Sequence, residues 1–129
     1  LPLHLVILKP CEGLLTKEIF GALDLAKVSR HPDTAGAARA MEAGDVRSLI
    51  ACMGNVLESV ALERQPGIAD ALALLRGRGA LHARMSGSGS AVFGLFDSWE
   101  RAAETAVDLK RVYPECCAAQ SVDVGVKFL

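Results

Sequence analysis

The chain has 129 residues, 51% of them hydrophobic and 22% charged, with a formal net charge of −1. That length suits one domain with a real core, and the composition excludes a disordered chain. The near-neutral charge, with no basic cluster beyond two adjacent residues, argues against nucleic acid or an anionic membrane as the main partner, and no apolar run approaches the roughly 20 residues of a membrane-spanning helix.

Leu3 to Leu8 reads as a strand, stopped at Lys9-Pro10 where proline cannot continue the ladder. Gly13 falls in the following loop. Thr16 can cap a helix to about Lys27 with Ile19, Leu23 and Ala26 on one face, although Glu18 lies one residue short of a full capping box. Arg30-His31-Pro32-Asp33 breaks the chain, and Asp33 caps a helix through Glu42 that Gly44 ends. Asp45 starts another, carrying Val46, Leu49, Ile50 and Met53, and Gly54 ends it. Asn55-Val56-Leu57-Glu58 has the form of an N-cap with its N3 carboxylate, opening a short helix to about Arg64. After the break at Gln65-Pro66-Gly67, Ile68, Leu72 and Leu75 repeat at helical spacing up to Arg76, with Gly77 and Gly79 as the stop. Ala80 to Met85 and Ala91 to Phe96 are strands on either side of a glycine loop. Ser98 caps a helix whose inner face is Ala102, Ala106, Leu109 and Tyr113, Pro114 follows, and Val122 to Phe128 alternates as a last strand.

The order strand, several helices, strand, strand, helix, strand is a split βαβ, ferredoxin-like pattern whose first crossover has grown into a small helical bundle. Helices on one face of an antiparallel sheet make the fold class α+β, as one domain over residues 1–129. Cys11, Cys52, Cys116 and Cys117 include no Cys-x-x-Cys pair, and adjacent cysteines rarely satisfy disulfide geometry, so a reducing, cytoplasmic setting is expected. His4, His31 and His82 stand alone without metal-ligand spacing, so no metal site is expected. Leu1 is not methionine and the strand begins at once, without the basic flank of a signal peptide. The expectation is that the chain begins inside a longer protein or has been processed.

The chemistry-bearing segment is Ser86-Gly87-Ser88-Gly89-Ser90. Two glycines can take positive φ, and such a loop can turn successive N–H groups toward one point to form an anion-binding nest. An ordinary hairpin connection is the competing reading. It is not a Walker A loop, nor a dinucleotide fingerprint, because Val92 stands where the third glycine should fall and the next segment reads as strand.

Three stretches together resemble the C-terminal domain of the GHMP superfamily of small-molecule kinases and, within it, a kinase of the non-mevalonate isoprenoid pathway. They are Met85 to Phe96, similar to the superfamily's third motif, Gly54 to Ile68, similar to an Asn-x-x-Glu helix region, and Thr16 to Asp24. The resemblance implies phosphoryl transfer from ATP, with Mg²⁺, to a hydroxyl of a small-molecule substrate. It implies that Gly87, Ser88, Gly89 and Ser90, with Ser86, line the phosphate or substrate side of a cleft, and that Asn55 and Glu58 stand near it. For those two the capping box is the alternative, and for Asp24 a solvated helix end. The N-terminal domain's Pro-x-x-x-Gly-Leu-Gly-Ser-Ser loop has no match here, and the lysine and aspartate near the transferred group belong to that half. No catalytic residue is therefore assigned, and the chain alone is expected to be inactive. Ser90 stands where the family often has alanine or proline. A missing N-terminal domain is the implied partner, and its bare docking surface leads us to expect self-association. The rival is a ferredoxin-like regulatory domain that binds a small molecule without catalysis; the helices between Asp33 and Arg78 count against it.

Overall fold

The computed structural model describes residues 2–10, 33–87 and 89–121. The elements are β1 (His4–Leu8), α1 (Thr34–Ala43), α2 (Val46–Cys52), α3 (Glu58–Arg64), α4 (Pro66–Gly77), β2 (His82–Met85), β3 (Val92–Phe96), α5 (Trp99–Leu109) and β4 (Cys116–Gln120). The strands form one antiparallel sheet in the order β2-β3-β1-β4, the split βαβ arrangement expected from the sequence. The expected helix after Thr16, with Asp24, and the expected strand Val122 to Phe128 lie outside the described residues.

Strand alternation divides the side chains between two faces. Val6 and Leu8 of β1, Ala83 and Met85 of β2, and Val92 and Phe96 of β3 point into the core. There they meet Ala61 of α3, Ile68, Leu72 and Leu75 of α4, and Ala102, Ala106 and Leu109 of α5, at the helical spacings that the sequence displays. Helices do not keep to one face, however. Met41 of α1 and Leu49 of α2 stand with Met53 over Leu5, Ile7 and Phe93 on the opposite face, around an apolar cavity of about 420 Å³.

Caps explain most of the boundaries. Asp33 accepts from the Gly36 amide at 2.9 Å and opens α1. Asp45 opens α2, accepting from the amide and hydroxyl of Ser48, which hold its exposed carboxyl below the usual range. Ser98 opens α5 through the Arg101 amide. The break at Gln65 is a single-residue junction, because Pro66 sits at the first helical position, where its missing N–H costs nothing.

One sequence expectation is corrected, and one element appears that the sequence did not suggest. The capping box at the start of α3 does not form: Leu57 occupies the N-cap without a side-chain bond, and although Asn55 Oδ1 accepts from the Leu57 amide, Glu58 reaches across to β2 and not back to Asn55. The fourth strand is Cys116–Gln120, a segment without β-branched or aromatic residues, held by its register against β1 from Leu8↔Cys116 to His4↔Gln120. Strand alternation puts Cys116 inside and Cys117 outside, so these neighbours point apart. Burial, then the charge of Cys117, pushes the Cys116 thiol up, which leaves it protonated and inert.

Gly94 marks where α4 meets the sheet. A Cβ there would lie 3.2 Å from Phe96 Cε2, 3.3 Å from Leu75 Cδ2 and 3.4 Å from the Ala80 Cβ. Gly94→Val adds methyls with no room for them and is expected to destabilise the fold by about 2 kcal/mol. Urea unfolding checks this; a midpoint equal to wild type would show that α4 yields.

Candidate functional site

The glycine loop is the tip of the β2–β3 hairpin. Met85 pairs with Val92 in the sheet. Beyond that pair the Ser86 amide donates to the Ala91 carbonyl at 2.8 Å and the Gly89 amide to the Ser86 carbonyl at 3.2 Å. Gly87 and Gly89 have φ of +58° and +94°, the left-handed region in which a side chain is strained. At Gly87 an added Cβ would meet nothing within 4 Å. The loop therefore presents bare, exposed backbone at that point, and the Gly87 amide donates to no other group among the described residues. Ser90 turns inward and is 2% exposed, so its hydroxyl is not presented to an opening as expected. Ser88 lies outside the described residues.

Asn55 and Glu58 hold this loop from outside the hairpin. The Asn55 carboxamide Nδ2 donates to the Met85 carbonyl at 2.9 Å and the Gly87 carbonyl at 2.8 Å. Its Oδ1 accepts from the Leu57 amide at 3.0 Å, an Asx turn that fixes the carboxamide plane. Glu58, only 8% exposed, accepts from the Met85 amide and from Arg84 Nη1, both at 3.0 Å. Arg84 Nε in turn donates to His82 Nε2 at 3.2 Å. An Asn and a Glu three residues apart look like a local cap, and this pairing with a segment 26 to 32 residues on has no local signature. Arg84 carries no local signal for the same reason, and His82, which the sequence shows only as a lone histidine, takes its partner from it.

Beside the loop is a cavity of about 350 Å³ whose wall includes Asp33, Thr34, Cys52, Asn55, Arg84 and Gly87. Its charged groups are already engaged, Arg84 by Glu58 and Asp33 by the start of α1. Among the described residues, attraction for an anion here is left to backbone N–H groups. Among the described residues no group of three or more His, Cys, Asp or Glu side chains could hold a metal ion.

A family model described as GHMP kinases C terminal matches residues 37–115, a span that takes in Asn55, Glu58 and the glycine loop. The chain belongs to the GHMP kinase C-terminal family. Among curated members, it is 43% identical over 98 residues to 4-diphosphocytidyl-2-C-methyl-D-erythritol kinase of Clostridium novyi, covering 76% of this chain and 35% of that one. It is 34% identical over 123 residues to the kinase of the same name from Alkaliphilus oremlandii, covering 95% of this chain and 42% of that one. This GHMP kinase C-terminal chain thus spans less than half the length of these relatives. Its fold matches a crystal structure of 4-(cytidine 5'-diphospho)-2C-methyl-D-erythritol kinase with a TM-score of 0.76 at 24% identity, over 93% of this chain and 43% of that one. It also matches the L. major mevalonate kinase in complex with R-mevalonate, with a TM-score of 0.63 at 17% identity, over 93% of this chain and 42% of that one.

Proposed function

We infer that the chain is the carboxy-terminal half of an ATP-dependent kinase that phosphorylates 4-diphosphocytidyl-2-C-methyl-D-erythritol in isoprenoid-precursor synthesis. The observation that carries this is the open backbone at Gly87, held in place by Asn55 within a family-matched domain. Phosphoryl transfer needs positioning and charge stabilisation more than covalent help from the protein. Bare N–H groups at a positive-φ glycine suit that work, since a side chain would block close approach.

The loop fits the phosphates of ATP or of the substrate. Among the described residues no group of three or more His, Cys, Asp or Glu side chains could hold Mg²⁺ by itself, and the part we assign to this chain is to bind and orient phosphate. The lysine and aspartate near the transferred group would come from the amino-terminal half, the implied partner. We place the reaction in the cytoplasm, where a reducing setting suits the free thiols of Cys52, Cys116 and Cys117.

The test is turnover of ATP with the diphosphocytidyl substrate, followed by ³¹P NMR. The full-length kinase is expected to form the phosphorylated product and the isolated chain none. Turnover by the isolated chain near the full-length rate would contradict this division of labour. Ligand binding without turnover, even with the amino-terminal half attached, would point to a regulatory domain. Bare of its partner, the chain is expected to self-associate, since Ile7 and Met41 beside the apolar cavity are each more than a third exposed. Sedimentation velocity over a concentration series checks this, and a strictly monomeric chain would count against it.

A further inference from the structure

Asn55 is where a single side chain controls the direction of loop backbone. Its Nδ2 holds the carbonyls of both Met85 and Gly87. A trans peptide group is planar, with its C=O and N–H pointing oppositely. Fixing the Met85 carbonyl toward Asn55 therefore turns the next N–H the other way, and that amide, of Ser86, is found on the Ala91 carbonyl across the hairpin. Holding the Gly87 carbonyl as well fixes the residue whose own N–H donates to no other group among the described residues. The Asx turn at Leu57 keeps the carboxamide from rotating, and Glu58 holds the strand end through the Met85 amide. The bonds thus pin the backbone on both sides of Ser86.

We propose that Asn55 is a positioning residue for phosphoryl transfer: it acts through the Met85 and Gly87 carbonyls to hold the exposed Gly87 backbone N–H in place for the bound phosphate, with Glu58 fixing the strand from which the loop springs. This rests on the kinase function inferred above. Asn55 itself touches no reacting atom. Its amide nitrogen is committed to two carbonyls, and phosphate meets the backbone that it orients.

Asn55→Asp isolates the effect. The carboxylate keeps an oxygen for the Leu57 amide, so the Asx turn survives, but it replaces the donor with an acceptor facing two carbonyl oxygens. Two readouts are needed. In the chain itself, amide hydrogen exchange at Ser86 and Gly89 should speed up at least about tenfold in the variant, while amides of the core elements such as Leu72 keep their wild-type rates. In the full-length kinase, kcat should fall by about a hundredfold, since displacement of a catalytic group by about 1 Å costs that much, with KM for the diphosphocytidyl substrate changed far less. Asn55→Ser, which neither donates as an amide does nor repels as a carboxylate does, should lie between the two. Unchanged exchange at Ser86 and Gly89 would overturn the anchoring. Faster exchange with unchanged kcat would overturn the role in transfer. A wild-type full-length protein that does not turn over would instead overturn the kinase function and leave the exchange result to judge the anchoring by itself.

Discussion

Replacing Gly87 with valine in the full-length kinase is expected to cut kcat about a hundredfold, with a much smaller loss of stability. The folding cost is confined to the backbone. Gly87 has φ of +58°, and a β-substituted residue there pays about 1–2 kcal/mol. The Cβ itself adds no steric cost, because nothing lies within 4 Å of it. If phosphate sits on the loop, the valine methyls occupy the space through which it reaches the N–H groups. Loss of one such donor is worth roughly 3 kcal/mol in the transition state, the source of the hundredfold figure. Gly87→Ala is the companion variant, paying a similar backbone cost with a smaller obstruction. Melting temperature and kcat are measured on both. Should the two variants lose activity only in step with their folded fraction, the loop is a hairpin connection and no more.

The largest loss of stability is expected from Glu58→Ala. The carboxylate is nearly enclosed and answers the Met85 amide and Arg84 together. Removing it strands a buried N–H and an arginine that has lost its counter-ion. Breaking a buried pair by deleting one partner costs about 3–5 kcal/mol, and the lower figure, about 3 kcal/mol, applies here. The reason is that the Arg84 side chain is 21% exposed and can turn part of its guanidinium to water. Glu58→Gln keeps an acceptor for Met85 but loses the charge and sets an NH2 donor against Arg84 Nη1, so about 2 kcal/mol is expected. Urea unfolding of the two variants separates these costs. A loss below about 1 kcal/mol for the alanine variant would mean that Glu58 is not holding β2.

What could be read from the sequence follows the range of the forces involved. Helix starts at Asp33, Asp45 and Ser98 were legible because a cap is a contact over three residues. The strands around the glycine loop were legible because short apolar runs bounded by glycine have few alternatives. β4 was not, since Cys116 to Gln120 has no strand propensity of its own and takes its conformation from pairing with β1. The placement of α1 and α2 over the far face of the sheet was equally hidden, because periodicity shows that a helix has an apolar side without naming its partner. At the site, the loop declared itself through its glycines. Asn55 and Glu58 were visible only as a residue pattern, and local rules gave that pattern to a cap. Beyond the local bond from the Leu57 amide to Asn55, their partners Met85, Gly87 and Arg84 stand in a different segment, and only the folded chain brings them together.

The most direct test of the loop's role is the Gly87 amide in the full-length kinase, followed by ¹⁵N NMR as a non-hydrolysable ATP analogue and the diphosphocytidyl substrate are added. A loop that cradles phosphate predicts a large saturable shift of that resonance and slowed solvent exchange, both lost in Asn55→Asp. Active enzyme whose Gly87 amide neither shifts nor gains protection when both ligands are bound would contradict it.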